Sequence, residues 1–184
     1  MNLYEENTKI RTVNRDGEYI GWISKLEAHR KSVLHKAFSV FIHDGSSNML
    51  IQKRAECKYH SGGLWSNACC SHVSSNIALK NEAELRLKKE MGFSVPLDEV
   101  FEFIYCEKVS DELVENEHDT VFVGIYKGEV QFDPDEVSDY RWIGFEELLA
   151  DVDSAPEKYT VWFRRIVDKV INNIIKACGE TDEV

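Results

Sequence analysis

Two short segments of this chain carry residue types that together suit a metal site and an acid/base pair. The first covers residues 66–72 and holds two adjacent cysteines and a histidine, and the second is Val-Glu-Asn-Glu at residues 114–117. Two further histidines, His29 and His35, lie upstream. Imidazoles and carboxylates in this number form an N/O ligand set for a divalent metal. A cysteine close to such a site is a candidate proton donor.

The predicted ligands come from distant parts of the chain. They are His29, His35, His72, Glu115 and Glu117. In a strand, residues i and i+2 point to the same face, so Glu115 and Glu117 can both reach one ion. Each histidine taken alone is more typical of a surface or core position, so the prediction rests on the whole set. These residue types accept Mn²⁺, Mg²⁺ and Zn²⁺ alike, which leaves the metal open.

Cys70 is the candidate proton donor, because it lies two residues before His72 in a stretch with few apolar residues. A buried structural thiol is the usual role of an intracellular cysteine, and the pattern alone does not separate Cys70 from Cys69. With an ordinary pKa of about 8.5, either thiol would be mostly protonated at neutral pH. The protonated state suits a role as proton donor better than a role that needs a permanently ionised thiolate.

Composition favours a single domain and argues against nucleic acid or an anionic membrane as its partner. With 184 residues, 43% hydrophobic content and no linker-like stretch, we expect one domain over residues 1–184. A net charge of −11 would repel nucleic acid and anionic membranes over most of the surface. An anionic substrate is compatible with this charge only where cations are concentrated. Lys25, Arg54, Lys58 and Arg86 are each typical of the surface, but jointly they could surround a diphosphate.

Cysteine usage and the N-terminus favour a cytoplasmic location. The five cysteines are an odd number without a CxxC pair, so a secreted disulfide framework is not expected. Residues 1–7 lack a basic region followed by an apolar run. The chain also lacks the run of about eighteen apolar residues that a membrane helix needs. The oligomeric state is left open.

Hydrophobic periodicity predicts a mixed α/β (α+β) sandwich with helices on both faces of a mixed sheet. The predicted elements are a hairpin turning at residues 14–17, a second hairpin of strands 36–42 and 49–54, a helix over 77–91, strands over 100–106, 120–126 and 140–143, a short helix from 146, and a final helix over about 159–178. Glu115 and Glu117 would then lie just ahead of a strand. Gly179 is expected to end the final helix.

These motifs together resemble the type 1 isopentenyl-diphosphate Δ-isomerases, a family of the Nudix superfamily. The resemblance covers about three quarters of the chain, from residue 25 to residue 162. Its carriers are Lys25, Ala28-His29, Leu34 to Ser39, Arg54, Lys58, Trp65 to His72, Glu90-Met91-Gly92, Tyr105, Val114 to Glu117 and Trp162. It implies a Nudix-like mixed β-sheet sandwiched between helices. It also implies isomerisation of isopentenyl diphosphate to dimethylallyl diphosphate, a step of isoprenoid biosynthesis.

In that family a thiol and a carboxylate work on opposite faces of the substrate alkene, and the resemblance assigns these roles to Cys70 and Glu117. Protonation of the terminal double bond gives a tertiary carbocation, and loss of a different proton gives the product. Trp162 matches the aromatic residue that faces the cation, where cation–π attraction contributes about 2 kcal/mol in a dry pocket. Tyr105 matches a tyrosine that is hydrogen-bonded near the acidic residue.

The resemblance also implies two metals and a diphosphate site. The first metal corresponds to the five ligands named above, and the second, Mg²⁺, to Glu90 with a backbone carbonyl at the cysteine. The residues that match diphosphate contacts are Lys25, Arg54, Lys58, Ser71 and Arg86. The implied partner is therefore a small-molecule diphosphate.

Most Nudix proteins hydrolyse nucleoside diphosphates, which leaves a hydrolase as the main alternative. When their Gly-x5-Glu-x7-Arg-Glu-U-x-Glu-Glu-x-Gly-U box, in which U is aliphatic, is aligned on Glu90, most of its polar positions are lost. The chain has Ser71, Ile77, Leu85, Arg86 and Lys89 where the box has Gly, Glu, Arg, Glu and Glu. Fewer carboxylates weaken a multi-Mg²⁺ cluster, which favours the isomerase. A non-catalytic metal-binding module is the third alternative.

The chain departs from the isomerase pattern at a few positions. The family's Cys-Gly-His-Pro reads Cys-Ser-His-Val over residues 70–73, and Glu157 replaces an aromatic residue. The interval between the first two histidines is one residue short. Ser71 adds a side chain where backbone must approach the diphosphate. No catalytic role is expected for the other histidines, His43, His60 and His118.

Overall fold

Residues 8–58 and 60–180 are described by the structure, a computed structural model. The strands are β1 Lys9–Val13, β2 Tyr19–Ser24, β3 His35–His43, β4 Asn48–Arg54, β5 Trp65–Ser66, β6 Cys69–His72, β7 Asp98–Lys108, β8 Val114–Ile125 and β9 Val137–Gly144. The helices are α1 Lys25–Arg30, α2 Leu79–Met91, α3 Phe145–Ser154 and α4 Val161–Glu180, with a 3₁₀ turn at Pro156–Lys158. The expectation drawn from residues 1–7 falls outside the described residues. Among the described helices, none has the length and apolar character needed to cross a membrane.

Strand β3 is the centre of the sheet, and all of its residues are buried. It runs parallel to β8, from His35 opposite Glu117 to His43 opposite Ile125. Along its other edge it pairs antiparallel with β6 over residues 37–40 and then with β4 next to the turn. A strand that is covered on both faces tends to be apolar throughout, as this one largely is. The register places the start of β3 beside the acidic residues of β8.

The predicted sandwich is confirmed, because helices cover both faces of one mixed sheet. The outer pairs β1 with β2, β4 with β9 and β7 with β8 are all antiparallel. On one face, Phe163 and Val170 of α4 join Phe41 and Met49 of the sheet in one core. On the other face, Leu87 of α2 belongs to a second core with residues of β3.

The two long helices follow the predicted periodicity. α2 is followed by Gly92, whose φ of 80° is the left-handed conformation of a C-terminal glycine. A Cβ at this position would collide with the backbone of Gln131. In α4 the apolar residues spaced by four, from Trp162 to Ile174, are buried. This helix runs from Val161 to Glu180, the last described residue, and so is displaced by about two residues from the predicted span of about 159–178.

Two predictions about the strands are wrong: where β8 begins, and how far the second hairpin extends. Glu115 and Glu117 lie within β8 rather than ahead of it, because pairing with β7 extends the strand back to Val114. The second hairpin exists only next to its turn, where β3 and β4 pair at two positions. Beyond that point β4 pairs with β9 instead. The sequence pattern also missed α1, β5 and β6, which contain six residues or fewer and so show no usable periodicity.

Candidate active site

A cavity of about 150 Å³ collects the predicted site residues from eight segments of the chain. Those that line it are Lys25, Arg54, Lys58, Cys70, Ser71, His72, Arg86, Glu90, Tyr105, Glu115, Glu117 and Trp162. The other two, His29 and His35, are fully buried, and their Nε2 atoms lie 3.1 and 3.7 Å from Glu115. The structure therefore brings the whole predicted set together.

Three imidazoles and a carboxylate converge beside this cavity. His29 lies on α1, His35 begins β3, His72 ends β6, and Glu115 lies on β8. One ligand atom from each of the four lies within 4.8 Å of all the others. Oε2 of Glu115 is 3.1 Å from Nε2 of His29 and 3.5 Å from Nε2 of His72. This arrangement of N and O donors is compatible with the binding of a divalent metal.

The environment of His35 favours positive charge at the centre of the cluster. Its Nδ1 is 2.8 Å from the carbonyl oxygen of Val33, so Nε2 is the atom that faces the other ligands. Nε2 is buried and has no hydrogen-bond partner among the described residues. Burial opposes a charged imidazole, but Glu115 and Glu117, each 3.7 Å away, outweigh it and raise the pKa of His35 to about 10. A divalent cation would supply the same positive charge, and the donor set fits one.

Glu117 links the imidazole cluster to the cavity. Its Oε1 lies 2.9 Å from Nε2 of His72, while its Oε2 accepts a hydrogen bond of 2.7 Å from the hydroxyl of Tyr105. Burial and the charge of Glu115 raise the pKa of Glu117, yet the neighbouring imidazoles of His35 and His72 outweigh them and lower it. The carboxylate is therefore ionised at neutral pH and can act as a base.

The two adjacent cysteines, which the sequence pattern does not distinguish, lie in different environments in the structure. Because side chains alternate along β6, Cys69 and Cys70 point to opposite faces. Cys70 lines the cavity, whereas Cys69 is fully buried in the core with Leu87 of α2. Burial raises the pKa of Cys70 to about 12, although the charge of Arg54 opposes this shift. The Cys70 thiol therefore carries its proton at neutral pH.

Trp162, the second residue of α4, is buried and forms one wall of the cavity. Its indole N–H donates a 3.0 Å hydrogen bond to Oγ of Ser66. Ser66 Oγ is also 2.9 Å from Oγ1 of Thr160, which ties the start of α4 to β5. The guanidinium carbon of Arg54 lies 5.3 Å from the centroid of the indole ring. The ring is thus held by its N–H edge, and its π face is within reach of a cation.

Two buried carboxylates that line the cavity, Glu90 and Glu136, form ion pairs with neighbouring cations. Glu136 accepts hydrogen bonds of 2.7 Å from Arg86 and from Lys89, and a further one from Lys58. Arg86 also pairs with Glu90. Burial would raise the pKa of Glu136, but Arg86 and the two lysines lower it to about 2. Ion pairs within the protein therefore set the positions of Lys58 and Arg86.

Sequence reasoning missed three charged or imidazole residues that line the cavity, namely His60, Asp119 and Glu136. His60, for which no role is expected from the sequence, has its Nε2 2.9 Å from Oε1 of Glu115. Asp119 accepts a 2.8 Å hydrogen bond from Ser39, and burial raises its pKa. Its spacing of two from Glu117 on β8 is a signal that could have identified it. His60 lies in a loop and Glu136 in an acidic run, where no pattern marks them.

Comparison with known proteins agrees with this geometry. Residues 33–163 match the NUDIX domain. The chain is 45% identical over 156 residues to isopentenyl-diphosphate Delta-isomerase 2 of Photorhabdus laumondii, covering 85% of this chain and 88% of the relative. It is 41% identical over 174 residues to isopentenyl-diphosphate Delta-isomerase 1 of Aromatoleum aromaticum, covering 95% and 96% of the two chains.

Solved structures with much lower identity share the fold. The crystal structure of DR0079 from Deinococcus radiodurans has a TM-score of 0.73 at 16% identity and covers 88% of this chain and 98% of its own. The MutT protein from Methanosarcina mazei has a TM-score of 0.61, also at 16% identity, and covers 82% and 96%. The Nudix fold is therefore established by structure as well as by sequence. Together with the identities above, this shows that the chain belongs to the isopentenyl-diphosphate Delta-isomerase family of NUDIX-domain proteins.

Proposed function

We propose that this protein converts isopentenyl diphosphate to dimethylallyl diphosphate by adding one proton to the substrate and removing a different one. The observation that carries the proposal is one cavity lined by a protonated thiol, Cys70, and an ionised carboxylate, Glu117. An acid and a base of opposite protonation state at one site are what a double-bond shift requires. The family membership supports the same reaction.

In the proposed reaction, the Cys70 thiol gives its proton to the terminal carbon of the alkene. The S–H bond breaks, a C–H bond forms, and the adjacent carbon becomes a tertiary carbocation. Glu117 then removes a proton from the carbon on the other side of the cation, and the double bond forms there. Each turnover leaves a thiolate and a carboxylic acid, and exchange with solvent restores the resting forms.

Two aromatic side chains support these steps. The π face of Trp162 stabilises the carbocation, an effect of about 2 kcal/mol in a dry pocket. The hydroxyl of Tyr105 holds Oε2 of Glu117 at 2.7 Å and so orients the carboxylate towards the substrate. The charge of Arg54 acts to lower the pKa of Cys70, which eases release of the thiol proton.

We propose two metal positions. His29, His35, His72, Glu115 and Glu117 would hold a transition metal or Mg²⁺, and Glu90 with the backbone carbonyl of Cys70 would hold Mg²⁺. When bound, the cations supply positive charge that compensates the buried carboxylates and the diphosphate. The residues proposed to contact the diphosphate are Lys25, Arg54, Lys58, Ser71 and Arg86. The net charge of −11 argues against nucleic acid as a partner, while the cations that line the cavity suit a small anionic substrate. The odd number of cysteines without a CxxC pair agrees with a cytoplasmic location.

The contacts of Arg86 and Lys89 argue against the hydrolase alternative. Both cations are paired with Glu136, and Arg86 also with Glu90. They stand where a hydrolase of this fold would have carboxylates, and phosphoanhydride hydrolysis depends on several Mg²⁺ ions held by such carboxylates. A positively charged cluster at this point instead suits binding of an intact diphosphate.

The test is incubation of the purified protein with isopentenyl diphosphate and Mg²⁺ in D₂O, followed by NMR. The expected result is dimethylallyl diphosphate with deuterium in its methyl group, and no free pyrophosphate. Cys70→Ala should form no product, while Cys69→Ala, which alters a core residue outside the cavity, should remain active. Release of phosphate or pyrophosphate, or hydrolysis of nucleoside diphosphates with Cys70→Ala fully active, would contradict the proposal.

A further inference from the structure

We propose that His60 is a positioning residue that orients the carboxylate of Glu115 towards the metal site. The inference rests on the metal site of the proposed function and adds a residue that lies outside the ligand set. His60 belongs to the loop between β4 and β5, and it lines the cavity although it is nearly fully buried. Its contacts on three sides carry the argument.

The first contact gives the two carboxylate oxygens of Glu115 different partners. Oε2 faces the imidazole cluster, at 3.1 Å from Nε2 of His29 and 3.5 Å from Nε2 of His72. Oε1 lies 2.9 Å from Nε2 of His60. Because an ionised carboxylate only accepts hydrogen bonds, Nε2 of His60 must be the donor. Metal-binding carboxylates are commonly held by such outer partners, whose removal weakens metal binding.

The second contact is compatible with the tautomer that Glu115 requires of His60. Its Nδ1 lies 3.2 Å from Oγ of Ser61. With the ring proton on Nε2, Nδ1 is an acceptor, and the Ser61 hydroxyl donates to it. Ser61 has a φ of 52°, in the left-handed region that a residue with a side chain rarely adopts. Strain of this kind persists where the surrounding structure holds it, and it is concentrated at functional sites.

The third set of contacts fixes the plane of the ring. The imidazole of His60 meets Trp162 edge to face, with centroids 6.0 Å apart, and it meets His29 in the same way at 5.9 Å. Its backbone carbonyl accepts a 3.4 Å hydrogen bond from Arg54. One loop residue therefore connects the metal cluster with the aromatic wall of the cavity.

The test compares Co²⁺ affinity, read from the visible absorption of the bound ion, in metal-free wild type and three variants. His60→Phe keeps an aromatic ring against Trp162 but removes the donor, and should bind Co²⁺ roughly 10- to 100-fold more weakly. His60→Gln can place an amide N–H near the position of Nε2 and should stay within a few-fold of wild type. His43→Gln changes another buried histidine, on the far end of β3, and should bind Co²⁺ normally.

Wild-type affinity in His60→Phe would overturn the proposal, and so would equal losses in His60→Phe and His60→Gln. If His60→Phe fails to fold, Ser61→Gly gives an independent test. Glycine relieves the positive φ and removes the hydroxyl, so the melting temperature should not fall while Co²⁺ affinity drops several-fold. Unchanged affinity in Ser61→Gly would also count against the proposal. Because no substrate is present, these results stand whether or not the protein proves to be an isomerase.

Discussion

The hydroxyl of Tyr105 donates a 2.7 Å hydrogen bond to Oε2 of Glu117, and the two residues are direct partners across β7 and β8. The other oxygen of the same carboxylate lies 2.9 Å from Nε2 of His72. Glu117 therefore contacts the imidazole cluster and also lines the cavity, where it forms the proposed acid/base pair with Cys70. A strand register, rather than a flexible loop, sets the direction in which this carboxylate points.

Tyr105→Phe keeps the ring but leaves the buried oxygen of Glu117 without its donor. A hydrogen bond to a charged group contributes about 1.5–3 kcal/mol, so we expect kcat to fall roughly 10- to 100-fold. KM should change little, because Tyr105 is not among the proposed diphosphate contacts. Steady-state kinetics with isopentenyl diphosphate will measure both constants. Tyr126→Phe, which removes an exposed hydroxyl bound to a loop carbonyl, is the matched control. A rise in KM with unchanged kcat would contradict the assigned role.

Substitutions of Trp162 separate its π face from its N–H group. Trp162→Phe retains an aromatic face and should keep much of the activity, whereas Trp162→Leu should lose roughly 30-fold in kcat, equivalent to about 2 kcal/mol of cation–π stabilisation. Ser66→Ala leaves the indole ring in place but removes the acceptor of its N–H, together with the contact between Ser66 and Thr160. The measurement is kcat for the three variants, and their melting temperatures serve as a check on folding. Equal losses in the Phe and Leu variants would show that packing, not the π face, matters.

The Cys70 thiol should resist alkylation up to high pH. Its pKa is raised to about 12 by burial, so the reactive thiolate is scarce at neutral pH and increases about tenfold per pH unit. A small free thiol, with a pKa of about 8.5, reaches its full rate just above that pH. Iodoacetamide labelling between pH 7 and 10, mapped by mass spectrometry, should therefore show the Cys70 rate still rising at pH 10. A plateau near pH 8.5 would contradict the shifted pKa.

Glu136→Gln tests the carboxylate that holds the cations. The pKa of Glu136 is lowered to about 2 in the folded state, so its stabilising effect is present above its unfolded pKa, near 4.5, and is lost as pH falls through about 2. The variant should be less stable by about 2 kcal/mol at pH 7, and this difference should shrink towards pH 3. Urea unfolding at both pH values measures it.

The same variant should raise KM for the diphosphate more than it lowers kcat, because Lys58 and Arg86 lose a shared partner. Glu129→Gln, at an exposed position outside the cavity, is the control. A pH-independent stability difference would show that Glu136 acts through packing rather than charge.

Much of this protein could be predicted from the sequence because its signals are local or are carried by the family resemblance. The four-residue periodicity of α4 identified the helix and its buried face, and Gly92 marked the end of α2. The two helices and the β-branched strands were enough to predict the sandwich. The i, i+2 spacing of Glu115 and Glu117 correctly predicted a shared face, since alternation is a property of any strand.

Tertiary structure alone decided which of these residues meet. The parallel register of β3 and β8 sets His35 opposite Glu117, a pairing between residues far apart in the chain that no local pattern encodes. The pairing of β6 with β3 put Cys70 in the cavity and left Cys69 in the core. His60 reached Glu115 through an irregular loop, which lacks the periodicity from which position can be inferred. Sequence determined the chemical groups and the longer helices and strands, while long-range pairing determined the distances between those groups.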